Sequence, residues 1–188
     1  MNNLRQQERR QKLKIKNDKY YTDLEVVEKC WGILKETIDF NDVSEIIESS
    51  AGAGAWLDKI KSTNIPYIAY DIEPEHNEVI KQDFLTLDID YKRGRLIGFN
   101  FPFGRSNNLS IRFFKKCVGI ADYICSIQPI SQLNNTYSMY EFDLIKSVDI
   151  GKAIYTDREL HCCFNIWKRP RASIEAWEAK YAKQIKVK

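Results

Sequence analysis

Long apolar runs are missing from this sequence. No stretch approaches the roughly 20 residues that a membrane-spanning helix needs, and the opening "MNNLRQQERRQKLKIKNDK" has no apolar core of signal-peptide type. The expectation is a cytoplasmic protein with no membrane partner. Histidine is scarce, with two in 188 residues, and the five cysteines contain no C-x-x-C pair. Neither a metal site nor a disulfide framework is expected from so few ligands and an odd number of thiols. Vicinal Cys162-Cys163 lies in an apolar stretch and reads as a pair of small core residues. Internal repeats, low-complexity tracts and linkers are absent too, so nothing calls for a second domain.

What is present is a globular composition, 44% hydrophobic and 12% aromatic, in a length that suits one core. The net charge of +3 is unevenly spread. Residues 1–19 carry +5, residues 168–188 carry +5, and the body between them is left at −7. The division expected is a basic arm over 1–18, a folded domain over 19–170 and a basic C-terminal helix or tail over 171–188. Lysine-rich ends can serve solubility alone. They can also hold a polyanion that the acidic body would repel. Nucleic acid, DNA or RNA, is the partner that this second reading implies.

Spacing of apolar residues by three and four predicts a helix over 23–38, through Leu24, Val27, Trp31, Leu34 and Ile38. Short strands are predicted at 44–49, 66–71, 78–84, 95–100 and 122–131, with a late strand at 161–169. Helices are predicted at 56–62, 108–121, 139–148 and 173–185. The chain between Asp71 and Asp83 is too short for a crossover helix and should be a loop. Alternating strands and helices imply an α/β fold with a central, mostly parallel sheet and helices on both faces. Ligands bind such sheets at the C-terminal ends of the strands. Glu48, Asp71, Asp83 and Asn100 each close a predicted strand, which puts four polar groups on one rim.

Two stretches there carry chemistry. "ESSAGAGAW" (48–56) places Gly52 and Gly54 between a strand and a helix, where backbone can approach a ligand closely. Asp71 is placed to accept from ribose hydroxyls and Ile72 to cover an adenine face. Asp83 is placed to accept from an adenine amine, with Phe84 beside it to stack. No cationic phosphate clamp accompanies the turn. An adenosine without pyrophosphate, carrying positive charge, suits the acidic rim, and S-adenosyl-L-methionine meets both conditions.

The second stretch is "NFPFG" (100–104). The Asn100 side-chain carbonyl and the Phe101 backbone carbonyl can each accept one N–H of a planar amine and aim its lone pair at a methyl donor. Pro102 stiffens the turn. Phe103 offers a face for a base to stack on. Catalysis of this kind is mostly orientation and polar preorganisation.

Taken together, these stretches resemble the class I S-adenosylmethionine-dependent methyltransferases, and among them the enzymes that methylate adenine N6 in nucleic acid. "KYYTD" (19–23) is similar to the Tyr-x-Thr-Pro segment ahead of their cofactor turn. "IIESSAGAGAWL" (46–57) resembles Glu-Pro-Ser-Ala-Gly-x-Gly. "AYDIEP" (69–74) and "KQDFL" (81–85) resemble the ribose and adenine motifs, and "NFPFG" resembles Asn-Pro-Pro-Phe-Gly. "ADYICSIQPIS" (121–131) matches the strand after the catalytic helix. The likeness implies a Rossmann-like class I methyltransferase fold. It puts Tyr21 and Thr22 near the methionine end of the cofactor, and Glu48, Ser50, Ala51, Gly52 and Gly54 in its floor. Asp71, Ile72, Asp83 and Phe84 would hold the adenosine, and Asn100, Phe101, Pro102 and Phe103 the target. Three positions depart from the pattern: Asp23 and Ser49 stand in place of prolines, and so does Phe101, which costs the turn rigidity and adds bulk. The chain has no room for a target-recognition domain, so a homodimer or a specificity partner is an expected alternative to the basic arms. Two other functions fit the same residues: methylation of a glutamine amide in protein, and a catalytically silent binding subunit.

Overall fold

The structure is a computed structural model and describes residues 22–104, 107–137, 139–155, 158–172 and 175. The basic arm, Tyr21 and all but Glu175 of the helix expected over 173–185 lie outside the described residues.

Seven strands form one sheet: β1 (Glu45–Glu48), β2 (Tyr67–Asp71), β3 (Ile80–Lys81), β4 (Arg95–Phe99), β5 (Tyr123–Pro129), β6 (Asp143–Tyr155) and β7 (Arg158–Lys168), in the order β3-β2-β1-β4-β5-β7-β6. Pairings among the first five are parallel, while β7 runs antiparallel between β5 and β6. All five residues of β4 are buried, as an unbroken "RLIGF" run requires of a central parallel strand covered on both faces.

Helix α1 (Leu24–Thr37) lays Val27, Cys30, Trp31 and Leu34 into one core, at the predicted spacing. Asp23 accepts a hydrogen bond from the Glu25 N–H at 2.8 Å and caps this helix. Its carboxylate thus gives the segment a defined start where the resembling family has a proline. Leu24, counted in the apolar stripe from sequence, is 70% exposed, so the stripe begins at Val27. The short helix α2 (Leu57–Lys61) joins the same core through Ile60. Helix α3 (Asn108–Val118) covers the opposite face through Phe113, Phe114 and Cys117. Alternate strand residues serve the two sides: Ile46 and Leu96 meet α1, and Ile47 and Ile97 meet α3.

One predicted element is wrong. The helix expected over 139–148 is instead the entry to β6, an edge strand paired along its whole length with β7. The ladder slips between Leu144 and Lys146 and again between Asp149 and Gly151. The first irregularity interrupts the period of two within the expected helix, and Phe142, Ile145 and Val148 fall three apart in sequence, the spacing of a helix. The expected third strand shrinks to two residues, and the span from Asp71 to Asp83 is a loop, as its length dictates. No helix among the described residues is long and apolar enough to cross a membrane. No group of three or more His, Cys, Asp or Glu able to hold a metal ion occurs among them either.

Gly98 sits where β4 and β5 leave no room for a side chain. A Cβ built there would lie 1.9 Å from the Cys125 carbonyl oxygen of β5. Gly98→Ala should therefore cost about 3 kcal/mol or more, read as a fall in the urea midpoint. A midpoint unchanged from the parent would show that β4 and β5 have room to part.

Candidate active site

The chain leaves β1 toward β2 on one side and leaves β4 toward β5 on the other. Connections that diverge in this way open a crevice above the carboxyl ends of the two middle strands. A cavity of about 360 Å³ lies there, of the size that holds a small ligand. Its walls come from the glycine turn after β1, from Asp71 and Ile72 after β2, from residues 82–85 after β3 and from Asn100, Phe101 and Pro102 after β4. Thr22 closes it from the segment before α1, and Leu109, Arg112 and Phe113 from α3.

The glycine turn is braced by its neighbour. The Ala51 N–H donates to the Tyr70 carbonyl at 2.9 Å, and the Gly52 N–H to Asp71 Oδ2 at 2.8 Å. The Glu73 N–H donates to Asp71 Oδ1, also at 2.8 Å. Both Asp71 oxygens therefore shape the cavity wall as well as facing its contents, each keeping a second lone pair for a hydroxyl. Gly54 has φ +83°, and a Cβ added there would lie 2.8 Å from Leu57 Cδ1 and 3.1 Å from the His76 ring. Its part is the shape of the turn, and it does not line the cavity.

Glu48 lies beneath this turn, 1% exposed, and neither carboxylate oxygen meets the geometry of a hydrogen bond. Burial pushes its pKa well above the ordinary 4.5; the nearby Ser50 amide opposes the shift and the Asp71 charge adds to it. A buried, unsatisfied carboxyl group at a cavity floor either holds its proton or waits for a cation.

On the far side Ile72 is 52% exposed at the cavity lip, an apolar group open to a flat partner. Asp83 uses Oδ1 to accept from the Leu85 N–H at 2.9 Å, and its Oδ2 takes no donor among the described residues. Phe84 stacks on Phe113, with centroids 5.5 Å apart, and Phe113 meets Phe101 at 5.4 Å. Three rings thus pave one side of the cavity.

At the second stretch the chain is strained before it turns. Phe99 has φ +113°, rare for a residue with a side chain. Its ring is fully buried, 6.1 Å from Trp31 and 5.0 Å from Trp56, which holds the unusual backbone in place. Asn100 follows at the rim. Ser50 Oγ donates to its backbone carbonyl at 2.9 Å, tying this turn to the glycine turn. Asn100 Nδ2 donates to Thr22 Oγ1 at 3.0 Å, and its Oδ1 is buried. Ser110 Oγ donates to the Pro102 carbonyl at 3.1 Å and the Leu109 N–H to the Phe103 carbonyl at 3.2 Å. Between these tethers, the Phe101 carbonyl accepts no hydrogen bond among the described residues.

Of the target residues expected from sequence, Phe103 is not brought to the cavity. Phe101 and Phe103 pass to opposite cores as the chain leaves the sheet. Phe101 packs on the α3 side, and Phe103, 7% exposed, packs with Trp31 and Phe99 on the α1 side. The rings that line the cavity are those of Phe84, Phe101 and Phe113. Thr22, Ser50, Ala51, Gly52, Asp71, Ile72, Asp83, Phe84, Asn100, Phe101 and Pro102 all line the cavity, whereas Glu48 and Gly54 support it from behind. Ser49, Trp56, Gln82, Leu109, Arg112 and Phe113 line it without having been anticipated. The signal for the last three was their i, i+3, i+4 spacing on the helix that follows the turn.

No family model matches the chain, and no curated protein sequence matches it. Solved structures do. A candidate RNA methyltransferase from Pyrococcus horikoshii superposes with a TM-score of 0.62 at 13% identity, over 80% of this chain and 87% of that one. The 1,6-didemethyltoxoflavin-N1-methyltransferase of Burkholderia thailandensis, with S-adenosylhomocysteine bound, gives 0.59 at 11%, over 78% and 79%. The magnesium protoporphyrin IX methyltransferase of Synechocystis, with S-adenosylmethionine bound, gives 0.56 at 8%, over 78% and 79%. The likeness is one of fold: this chain has the Rossmann-like fold of the class I methyltransferases, with seven strands and a mostly parallel sheet.

Glu48 supplies a pH test. Its folded pKa is raised, so the folded chain holds the proton more tightly than the unfolded one. Stability from this group is present below about pH 4.5 and is lost as pH rises toward the raised value. Glu48→Gln, which cannot ionise, should abolish that part of the slope. Urea midpoints against pH, parent and variant together, give the difference, and parallel curves would mean that Glu48 ionises as freely folded as unfolded.

Proposed function

We propose that this chain is an S-adenosylmethionine-dependent methyltransferase acting on a planar NH2 group, that of adenine N6 in nucleic acid, with DNA ahead of RNA. The observation that carries the reading is the single cavity joining a glycine turn, an acidic rim and the Asn100–Pro102 turn. The residues fit the cofactor. Glu48 is a buried carboxyl group without a hydrogen-bond partner among the described residues, beneath a turn that would receive a cationic methionine end, and Ile72 and Asp83 offer an apolar lid and an acceptor to an adenine. Bound there, S-adenosylmethionine would supply a methyl group activated by a sulfonium sulfur.

The chain's own part is positioning. The acceptor end of Asn100 and the Phe101 carbonyl take the two N–H groups of the target amine and turn its lone pair toward the cofactor half of the cavity. With the cofactor held along the Asp71 and Asp83 side of the cavity, its methyl would pass to the amine nitrogen as the S–CH3 bond broke and its electrons returned to sulfur, and the amine would shed one proton to water. No basic side chain is needed, since the leaving sulfur is neutral. Phe84, Phe101 and Phe113 give that side of the cavity an apolar wall against which a flat base can lie. The basic ends, each of charge +5, favour a polyanionic substrate over protein. The fold neighbour from Pyrococcus keeps RNA beside DNA as a substrate.

Calorimetry with S-adenosylmethionine and tritium transfer over DNA, RNA and protein test this reading. Asp71→Ala should weaken cofactor binding about 10-fold or more by loosening the Gly52 turn. Asn100→Ala should keep cofactor binding and lose about 10²–10³ in transfer rate, the loss typical of one preorganised polar group. Transfer at the parental rate in Asn100→Ala would remove that residue from the chemistry. Cofactor binding without transfer to any acceptor would make the chain a silent subunit, and labelling of protein alone would move the target to a glutamine amide.

A further inference from the structure

We infer that the exposed face of α3 and the segment between β5 and β6 form a docking track for a single-stranded polynucleotide, carrying the nucleotides that flank the target away from the cavity mouth. The inference rests on the reading of the cavity given above. Arg112 lines the cavity and is exposed, and it makes no ion pair or hydrogen bond among the described residues. Lys115 follows on the same side of the helix, since residues three apart lie about 5–6 Å from one another at Cβ. Its Nζ lies 4.7 Å from the centroid of the Tyr140 ring and also pairs with Glu141. Tyr140 is 74% exposed, and Tyr137, in the same segment, is 92% exposed. Neither tyrosine hydroxyl is hydrogen-bonded among the described residues.

This segment is anchored. Met139 and Phe142 are 2% and 4% exposed in the α3-side core, and the Phe142 ring meets Phe114 at 5.9 Å. The two tyrosines are thus held outward from a fixed base. Leading from the cavity come a cation without an anion partner among the described residues, a second cation lying over the exposed Tyr140 ring, and the exposed Tyr137 ring. That alternation matches a strand in which phosphates alternate with unstacked bases. Duplex DNA presents the phosphates but keeps its base faces stacked. An apolar peptide would want a groove, and the buried Met139 and Phe142 leave none. With Glu141 taken up by Lys115, Arg112 remains a cation open to a phosphate on this face of α3.

Fluorescence anisotropy of a labelled single-stranded oligoadenylate, free and annealed to its complement, tests the track in the full chain. The single strand should bind more tightly than the duplex. Tyr140→Ala should weaken it by about 10-fold, while Tyr140→Phe should hold the parental affinity. Arg112→Gln should reduce the slope of log K against log salt by about 0.7, one phosphate's worth on a single strand. Calorimetry with S-adenosylmethionine should give the same affinity in both Tyr140 variants as in the parent, which separates stacking from misfolding. Tighter binding of the duplex, or parental single-strand affinity in Tyr140→Ala, overturns the track. If the parent itself fails to bind the cofactor, the cavity reading falls, and the track falls with it only if the anisotropy also shows no role for Tyr140.

Discussion

The pairing of Glu48 with Gly98 in the parallel register of β1 and β4 is the contact on which the remainder depends. It sets the ends of two strands side by side, so the loops that follow them start from one place and part in opposite directions. The register is held from the other flank as well. Gly98 also faces Cys125, and only a residue without a side chain permits that approach. A slip of one residue would turn every strand side chain to the wrong core. It would also separate the glycine turn from Asn100, which Ser50 now joins by one hydrogen bond.

The same place carries the molecule's costs. Phe99 holds a backbone conformation worth about 1–3 kcal/mol of strain, and Glu48 is buried with no hydrogen-bond partner among the described residues. Two cores meet these costs. Trp31 and Trp56 clasp the Phe99 ring from the α1 side, where burial of a large side chain contributes about 1.5–3 kcal/mol. On the other face the stack from Phe84 through Phe113 to Phe101 packs the rim that Glu48 weakens. Strain and unmet polarity are concentrated within a few residues of the cavity, which is where a ligand would repay them.

Much of this was legible in the sequence, because strong local patterns coincide with strong packing. The unbroken run at β4, the stripe from Val27 to Leu34 and the glycine turn each had one reasonable reading. What escaped did so for identifiable reasons. The irregularities in β6 gave an edge strand the spacing of a helix, and only pairing with β7 decides between them. The fate of Phe103 was hidden because sequence spacing cannot say to which side the chain swings once it leaves a sheet. The α3 wall was missed because its residues are unremarkable singly: Arg112 is one surface cation among many until the cavity is seen to open beside it.

Phe101 is the departure that most needs a physical account. A proline there would stiffen the turn by removing unfolded-chain freedom, a gain of about 0.4–1 kcal/mol. The turn here is instead fastened from outside, at the Asn100 carbonyl by Ser50, at the Asn100 amide by Thr22, and at the Pro102 and Phe103 carbonyls by Ser110 and Leu109. Each such bond is worth about 0.5–1.5 kcal/mol, so together they outweigh the stiffness that proline would have lent. The bulk of the phenylalanine is absorbed as well, since its ring is 1% exposed and packed on Phe113. The substitution therefore moves the source of rigidity from the chain itself to its neighbours, and the Phe101 carbonyl stays available to an N–H donor.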